Sequence, residues 1–341
     1  MAKYIFKRIL WMIPTLFGIT LVCFVIINLA PGSPIEQKLS QMRFGGQVGG
    51  GSAAGNNSGA VSQEVIDALK KQYGFDKPIH IRYLIWLKNI ATFDFGESFS
   101  YQMPVTDVIL DKLPVSLQFG FASLILTYLI SIPLGISKAV RDGSRYDMMT
   151  SVLLMVAYSV PPLIVGILLR VYLSGQTFLD ILPLGELYSD NYMDLSFWGK
   201  VWDRTSHFIM PLTCYVINSF TVLTFLMKNS LMEEVRLDYI RTARAKGLDE
   251  NKVIYKHALR NALIPILTGL GSFLTVFFAG SIIIEQIFNL DGMGLLGYKS
   301  ILSRDYNVIM ALIFLQSLLS MVGRLISDIT YVMVDPRIDF Q

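Results

Sequence analysis

The sequence predicts an all-α polytopic membrane protein with six transmembrane helices, and three observations predict it. Hydrophobic residues fill 53% of the 341 positions and charged ones only 16%, where an ordinary soluble domain carries about 25%. Mean hydropathy is +0.50. Apolar runs near the roughly 20 residues needed to cross a bilayer recur along the chain. Together these exclude a soluble globular domain. The net charge of +3 says little, because the placement of Lys and Arg matters more than their sum. Cys23 and Cys214 lie inside apolar runs and read as small core hydrophobes, with neither disulfide nor metal-ligand spacing.

The first span is expected over residues 9–30. Lys3, Lys7 and Arg8 before it resemble the start of a signal peptide. The apolar run is about twice a signal's usual core, however, and Pro31 follows it, so an uncleaved span is expected. Pro14 and Gly18 predict a kink within it. The remaining spans fall at 113–136, 149–173, 207–227, 264–287 and 307–333. An even number places both termini on one side. That side collects fifteen Lys and Arg, eight of them between Lys228 and Arg260; the short loops opposite hold Lys200, Arg204, Lys299 and Arg304. The positive-inside rule then predicts cytoplasmic termini. The external loop, 31–112, is too long to count in that comparison.

Within that loop, residues 45–59 have the composition of a flexible tether, with nothing able to build a core. From Ser62 a helix is predicted, with Gln63 and Glu64 in its first turn and Gly74 and Pro78 ending it. A second, amphipathic helix should follow, with Tyr83, Leu87 and Ile90 on one face and Trp86 beside them. It fits either a scaffold over span ends or a segment lying on the outer membrane surface.

The cytoplasmic loop 228–260 carries the most organised signal. Ser230 and Glu233 form a capping-box pattern. Leu231, Val235 and Tyr239 recur at i, i+4 and i+8 as an apolar stripe. Lys246 falls in the last turn, and Gly247 at the position where a left-handed residue ends a helix. Asp249 offers a cap for a second helix through His257 and Arg260. The charges alone fit a solvated basic loop; the capped helix–Gly–helix pattern predicts a rigid elbow that a soluble partner grips.

The residues Arg241-Thr242-Ala243-Arg244-Ala245-Lys246-Gly247 resemble the EAA loop of ABC importer permeases in its peptide-permease form. The likeness continues through residues 257–265, where Pro265 lies farther from Gly247 than the general EAA pattern puts it. It extends to Ala30-Pro31-Gly32, Tyr73-Gly74-Phe75, Phe93-Asp94-Phe95-Gly96, Ile132-Pro133-Leu134-Gly135, Gly292-Met293-Gly294 and Asp335-Pro336-Arg337. On these residues the chain resembles the B-type permeases of oligopeptide and dipeptide importers over nearly its whole length. The Gly-rich insert is most similar to the Yej-type branch, linked to peptides and microcin C-like compounds. The resemblance implies a type I importer permease fold in a bacterial inner membrane. It implies a second homologous permease, two ATPase subunits or one fused tandem ATPase, and an external peptide-binding protein. ATP and Mg would be bound by the ATPase partners, with no cofactor in this chain. The elbow would be the coupling helix. Thr242, Ala243, Ala245, Gly247 and Leu248 would pack closely there, and Arg241, Arg244 and Lys246 would make rim contacts.

No phosphate-binding G-x-x-x-x-G-K-[ST] loop, H-E-x-x-H or G-x-S-x-G occurs. His80, His207 and His257 have no metal-like neighbours and read as surface or packing residues. A transport subunit is therefore expected rather than an enzyme, with peptide and lipid as partners and no nucleic acid. Among membrane polar residues, Glu285 is the default functional candidate as an intramembrane carboxylate. Gln118, Tyr128, Asn218 and Gln316 fit a polar pathway or interhelical hydrogen bonds equally. Arg170 reads as a snorkelling side chain, and Arg324 with Asp328 as an i, i+4 pair. An autonomous secondary transporter or channel is the alternative; it would need buried ion-coupling carboxylates at mid-span, whereas the acids here cluster at span ends.

Overall fold

Long apolar runs become long helices. The computed structural model describes residues 2–29, 77–174, 178–269, 278 and 280–334. In chain order these form α1 (Ala2–Leu29), α2 (Ile79–Ile90), α3 (Val105–Val140), α4 (Arg145–Ser159), α5 (Pro162–Leu173), α6 (Phe197–Val235) and α7 (Asp238–Ala245). Then come α8 (Glu250–Lys252), a π-helical turn (Val253–Ala258), α9 (Leu259–Ala262), α10 (Ile264–Thr268), α11 (Ile282–Ile287), α12 (Met293–Leu302) and α13 (Tyr306–Val334). No strand occurs among the described residues. The tether at 45–59 and the helix expected from Ser62 lie outside them.

Among the described residues, four helices, α1, α3, α6 and α13, are long and apolar enough to cross a membrane unaided. Their outer faces are apolar and bare: Phe6, Trp11 and Ile13 of α1, and Leu110, Ile125 and Leu129 of α3, are all exposed. Such surfaces are stable only against lipid or another apolar face. α1 passes through Pro14 without interruption. α6, at 39 residues, extends about 58 Å, nearly twice a hydrocarbon core of about 30 Å.

The third expected span is not straight. α4 and α5 meet at 91°. The break follows from Pro161 and Pro162, which lack N–H donors and force Val160 into an extended conformation (φ −88°, ψ 119°). The fifth expected span, 264–287, is also interrupted. Gly280 has φ +60° and Ser281 is extended, so α11 starts afresh with the Ser281 hydroxyl accepting from the Ile284 amide.

The chain divides into two compact units. One comprises Met1–Arg8, Lys112–Leu295 and Leu319–Gln341; the other comprises Ile9–Asp111 and Leu296–Leu318. The larger unit has two apolar cores. Val115 and Phe119 of α3, Met210 and Cys214 of α6, and Ile284, Phe288 and Leu290 form one. The second lies at the far end of α6, where Met227 and Leu231 meet Ile240, Ala243, Val253, Ile254, Ala258 and Ala262. In the smaller unit, Tyr83 of α2 packs on Phe24 of α1 with Met310, flanked by Trp86 and Leu87. The Tyr83 hydroxyl pairs with Thr20 at 2.9 Å. The amphipathic face predicted for residues 83–90 is therefore the one α2 buries.

Candidate coupling elbow and membrane polar sites

α6 ends at Val235, and Arg236 and Leu237 turn the chain into α7. Ser230 is not a cap, contrary to the capping-box expectation. It lies inside α6, and its hydroxyl donates to the Ala262 carbonyl at 2.8 Å, tying α6 to α9. The stripe also breaks earlier than expected: Leu231 is buried and Tyr239 exposed, because the turn at 236–237 rotates α7. α7 instead anchors through Ile240, which is wholly buried, and Ala243. Burying one isoleucine contributes about 1.5–3 kcal/mol. Ala243 thus packs inside its own chain rather than presenting itself outward.

Gly247 has φ +76°, and nothing lies within 4 Å of where a Cβ would stand. Its requirement is conformational, not steric. Asp249 then accepts from the Asn251 amide at 3.1 Å and starts α8. The π turn that follows points Val253, Ile254 and Ala258 into the core under α7. Arg241, Thr242, Arg244, Ala245, Lys246, Gly247 and Leu248 are left exposed as one surface.

Polar contacts stiffen this surface. The Arg244 guanidinium grips Glu250 with two hydrogen bonds, Nε to Oε2 at 3.1 Å and Nη2 to Oε1 at 2.6 Å. That guanidinium holds the Glu250 carboxyl below its ordinary range. Arg241 lies 3.3 Å from Asp238. The Tyr239 hydroxyl donates to Glu234 and accepts from Asn261 Nδ2 at 3.1 Å. Partial burial and the Glu234 bond push the Tyr239 phenol up to about 12.

A second polar cluster, absent from the sequence expectations, fixes the same end of α6. The Asp142-Gly143-Ser144 turn folds α4 back on α3, with Ser144 accepting from the Asp147 amide. Lys138, wholly buried, donates to the Asp147 carbonyl, Thr150 and Ser151 at 2.7–2.9 Å. Its ammonium also lies 2.9 Å from Asp147 Oδ1. Lys228 of α6 reaches Asp147 Oδ2 at 2.7 Å and Asp142 at 2.9 Å. Lys138, one of the fifteen basic residues on the side with both termini and expected in the loop between the second and third spans, is an interior ion.

The membrane candidates do not converge. Glu285, 1% exposed, accepts from Ser116 Oγ (3.2 Å), the Ser281 amide (3.1 Å) and the Leu295 amide (2.7 Å). It is the post around which the Gly292-Met293-Gly294 loop folds, and a Cβ on Gly292 would stand 2.6 Å from its carboxyl carbon. Gln118 accepts from Arg204 at 2.7 Å. The Tyr128 hydroxyl donates to the Ile266 carbonyl. Asn218 keeps a buried, unpartnered carbonyl oxygen, and Gln316 is exposed in the other unit.

Two further expectations are corrected, and His207 takes the packing alternative. Arg170 does not snorkel: its Nη1 donates to the Ile287 carbonyl at 2.6 Å, satisfying the end of α11. Asp328 pairs with Arg8 at 2.8 Å and Tyr4 at 3.1 Å rather than with Arg324. His207 is buried, its Nδ1 2.7 Å from the Gly185 carbonyl and its Nε2 3.2 Å from Ser189 Oγ, which donates to Asp203 at 2.5 Å. It pins the loop before α6, a packing role.

Residues 131–340, which include the elbow, match the binding-protein-dependent transport system inner membrane component family. The chain belongs to that family. Full-length relatives agree. It is 44% identical to the peptidoglycan transport system permease protein YejB of Agrobacterium fabrum, covering 100% of this chain and 99% of the relative. It is 39% identical to the inner membrane ABC transporter permease protein YejB of Escherichia coli O157:H7, covering 100% of both. With the oligopeptide transport system permease protein AppB of Bacillus subtilis, identity is 35% over 100% of both. As a family member the chain is a multi-pass component of a membrane transport system.

Proposed function

We propose that this chain is a permease subunit of an ATP-driven importer and forms half of the translocation path for peptides delivered by an external binding protein. A second, homologous permease completes the path. Two ATPase subunits, or one fused tandem ATPase, bind ATP and Mg and supply the energy. The chain crosses the bacterial inner membrane six times with both termini in the cytoplasm. The cargo is a peptide-containing compound: the relatives' names give peptidoglycan, oligopeptide and dipeptide transport.

The observation that carries this reading is the elbow. It is an exposed surface of small and basic residues, held rigid by an apolar core beneath it, at the end of a helix longer than the bilayer is thick. Arg241, Thr242, Ala245, Lys246, Gly247 and Leu248 meet the ATPase. Arg244 and Glu250 brace the turn, and Ala243 supports it from below. Closure of the ATPases on ATP moves the elbow, and α6 moves with it. The saturated hydrogen bonding of Glu285 supports an external energy source, since that carboxylate is engaged by the fold rather than available to a coupling ion.

The test is purification of the full chain from native membranes with its partners, in mild detergent. A second permease and ATPase subunits should co-purify, and Gly247→Val should abolish peptide uptake while the chain still inserts. Normal ATP-driven uptake by that variant would overturn the coupling role.

A further inference from the structure

The end of α6 remote from the elbow carries an open groove of about 680 Å³ along the helix. Phe197, Val201, Phe208 and Leu212 line it at i, i+4, i+11 and i+15, a single helical face. Lys200 and Arg204, four residues apart, flank its mouth. Neither has a carboxylate partner among the described residues. Lys200 sits over the Tyr192 ring at 5.7 Å, and Arg204 spends one donor on Gln118. The neighbouring acid, Asp203, is turned toward Ser189 and His207.

Two observations place the groove at the boundary between lipid and water. Phe197 of its lining, and Trp198 and Trp202 in the same turns of α6, are 73%, 76% and 69% exposed; indole rings so displayed mark the headgroup level of a bilayer. Below the cations the polar demand vanishes, since the Thr205 and Thr213 hydroxyls are spent on the Val201 and Ile209 carbonyls of their own helix. The path from Lys200 or Arg204 to Leu212 is about 12–18 Å, at 1.5 Å per residue. One leaflet of hydrocarbon is about 15 Å deep. A peptide would need backbone partners along that path, and the groove offers none.

We propose that this groove is a binding site for an anionic phospholipid of the outer leaflet, its phosphate held by Lys200 and Arg204 and an acyl chain laid along Val201, Phe208 and Leu212. Two interfacial cations give an expected preference of roughly tenfold or more for an anionic over a zwitterionic headgroup. The site is independent of the coupling role assigned to the elbow.

The experiment uses the full-length chain in nanodiscs, with Trp11→Phe and Trp86→Phe so that only Trp198 and Trp202 report. Brominated phosphatidylglycerol or brominated phosphatidylcholine is added at equal, low mole fraction. Brominated phosphatidylglycerol should quench more strongly. Lys200→Gln with Arg204→Gln should remove the difference, and Lys200→Arg with Arg204→Lys should keep it, which separates lost charge from lost folding. Equal quenching by both lipids in the parent chain overturns the proposal. So does a preference that survives the Gln pair, or an absence of quenching by either lipid, which would place Trp198 and Trp202 away from the lipid altogether.

Discussion

The Lys138 ammonium at the end of α3 lies 2.9 Å from the Asp147 carboxylate in the first turn of α4, and both groups are buried. Asp147 is shared with Lys228, so one carboxylate compensates two lysines from two helices. Removing it strands the buried Lys138, while Lys228 keeps Asp142 at 2.9 Å. Asp147→Asn should cost about 3–5 kcal/mol, the usual effect of leaving a buried charge unpaired. Lys138→Met should cost less, because Asp147 keeps Lys228. Heating each variant in detergent and measuring the monodisperse fraction checks the order; a Lys138→Met loss equal to that of Asp147→Asn would contradict the sharing.

Gly247 should tolerate asparagine far better than valine. At φ +76° with open space around it, a β-branched side chain meets only backbone strain, about 1–2 kcal/mol. Asn adopts this region readily. Peptide uptake should therefore survive in Gly247→Asn and fail in Gly247→Val, with both chains present in the membrane at parent levels.

Glu285→Gln should loosen the loop at 291–295 without unfolding the chain. A carboxylate accepts at both oxygens, whereas an amide turns an N–H group toward one set of donors. Losing an acceptor for buried donors costs roughly 1–3 kcal/mol. Faster hydrogen exchange at the Leu295 amide is the expected readout, with exchange in α6 unchanged.

The Arg244–Glu250 pair gives the elbow a dependence on acid. The Glu250 carboxyl titrates lower in the folded chain than in the unfolded one. Its contribution is therefore present above the ordinary glutamate value of about 4.3 and lost as pH falls through the lower folded value. Both side chains are well exposed, so the amount is at most about 1 kcal/mol. The stability gap between the parent and Glu250→Gln should be measurable at pH 7 and closed in stronger acid; a gap that widens in acid has the wrong sign.

Much of the membrane architecture was legible because bilayer crossing is a matter of run length, and the long runs behind α1, α3, α6 and α13 declare themselves. The bend between α4 and α5 was written in Pro161-Pro162 but hidden inside an apolar run whose hydropathy never dips. The elbow's ends were readable from Gly247 and Asp249, since both signals are local. Its inner face was not. Whether Ala243 or Tyr239 faces the core depends on where α6 stops, and a two-residue turn at 236–237 rotated the stripe. Ser230 shows the same ambiguity: its hydroxyl found a carbonyl 32 residues away instead of its own helix end. Lys138 and Asp147 lie nine positions apart, too far for one helix face, and only the Gly143 turn joins them.

Because α6 continues without a break from Phe197 to Val235, it behaves as a stiff rod with lipid-facing tryptophans at one tip and the elbow at the other. Pro211 is its single proline and its natural flexure point. In the importer proposed above, load applied at either tip is transmitted to the other, so a nucleotide-driven stroke at the elbow should register as a colour shift in Trp202 fluorescence. By reciprocity, the proposed lipid at one tip should change the affinity of the proposed partner at the other by the factor with which that partner changes lipid affinity.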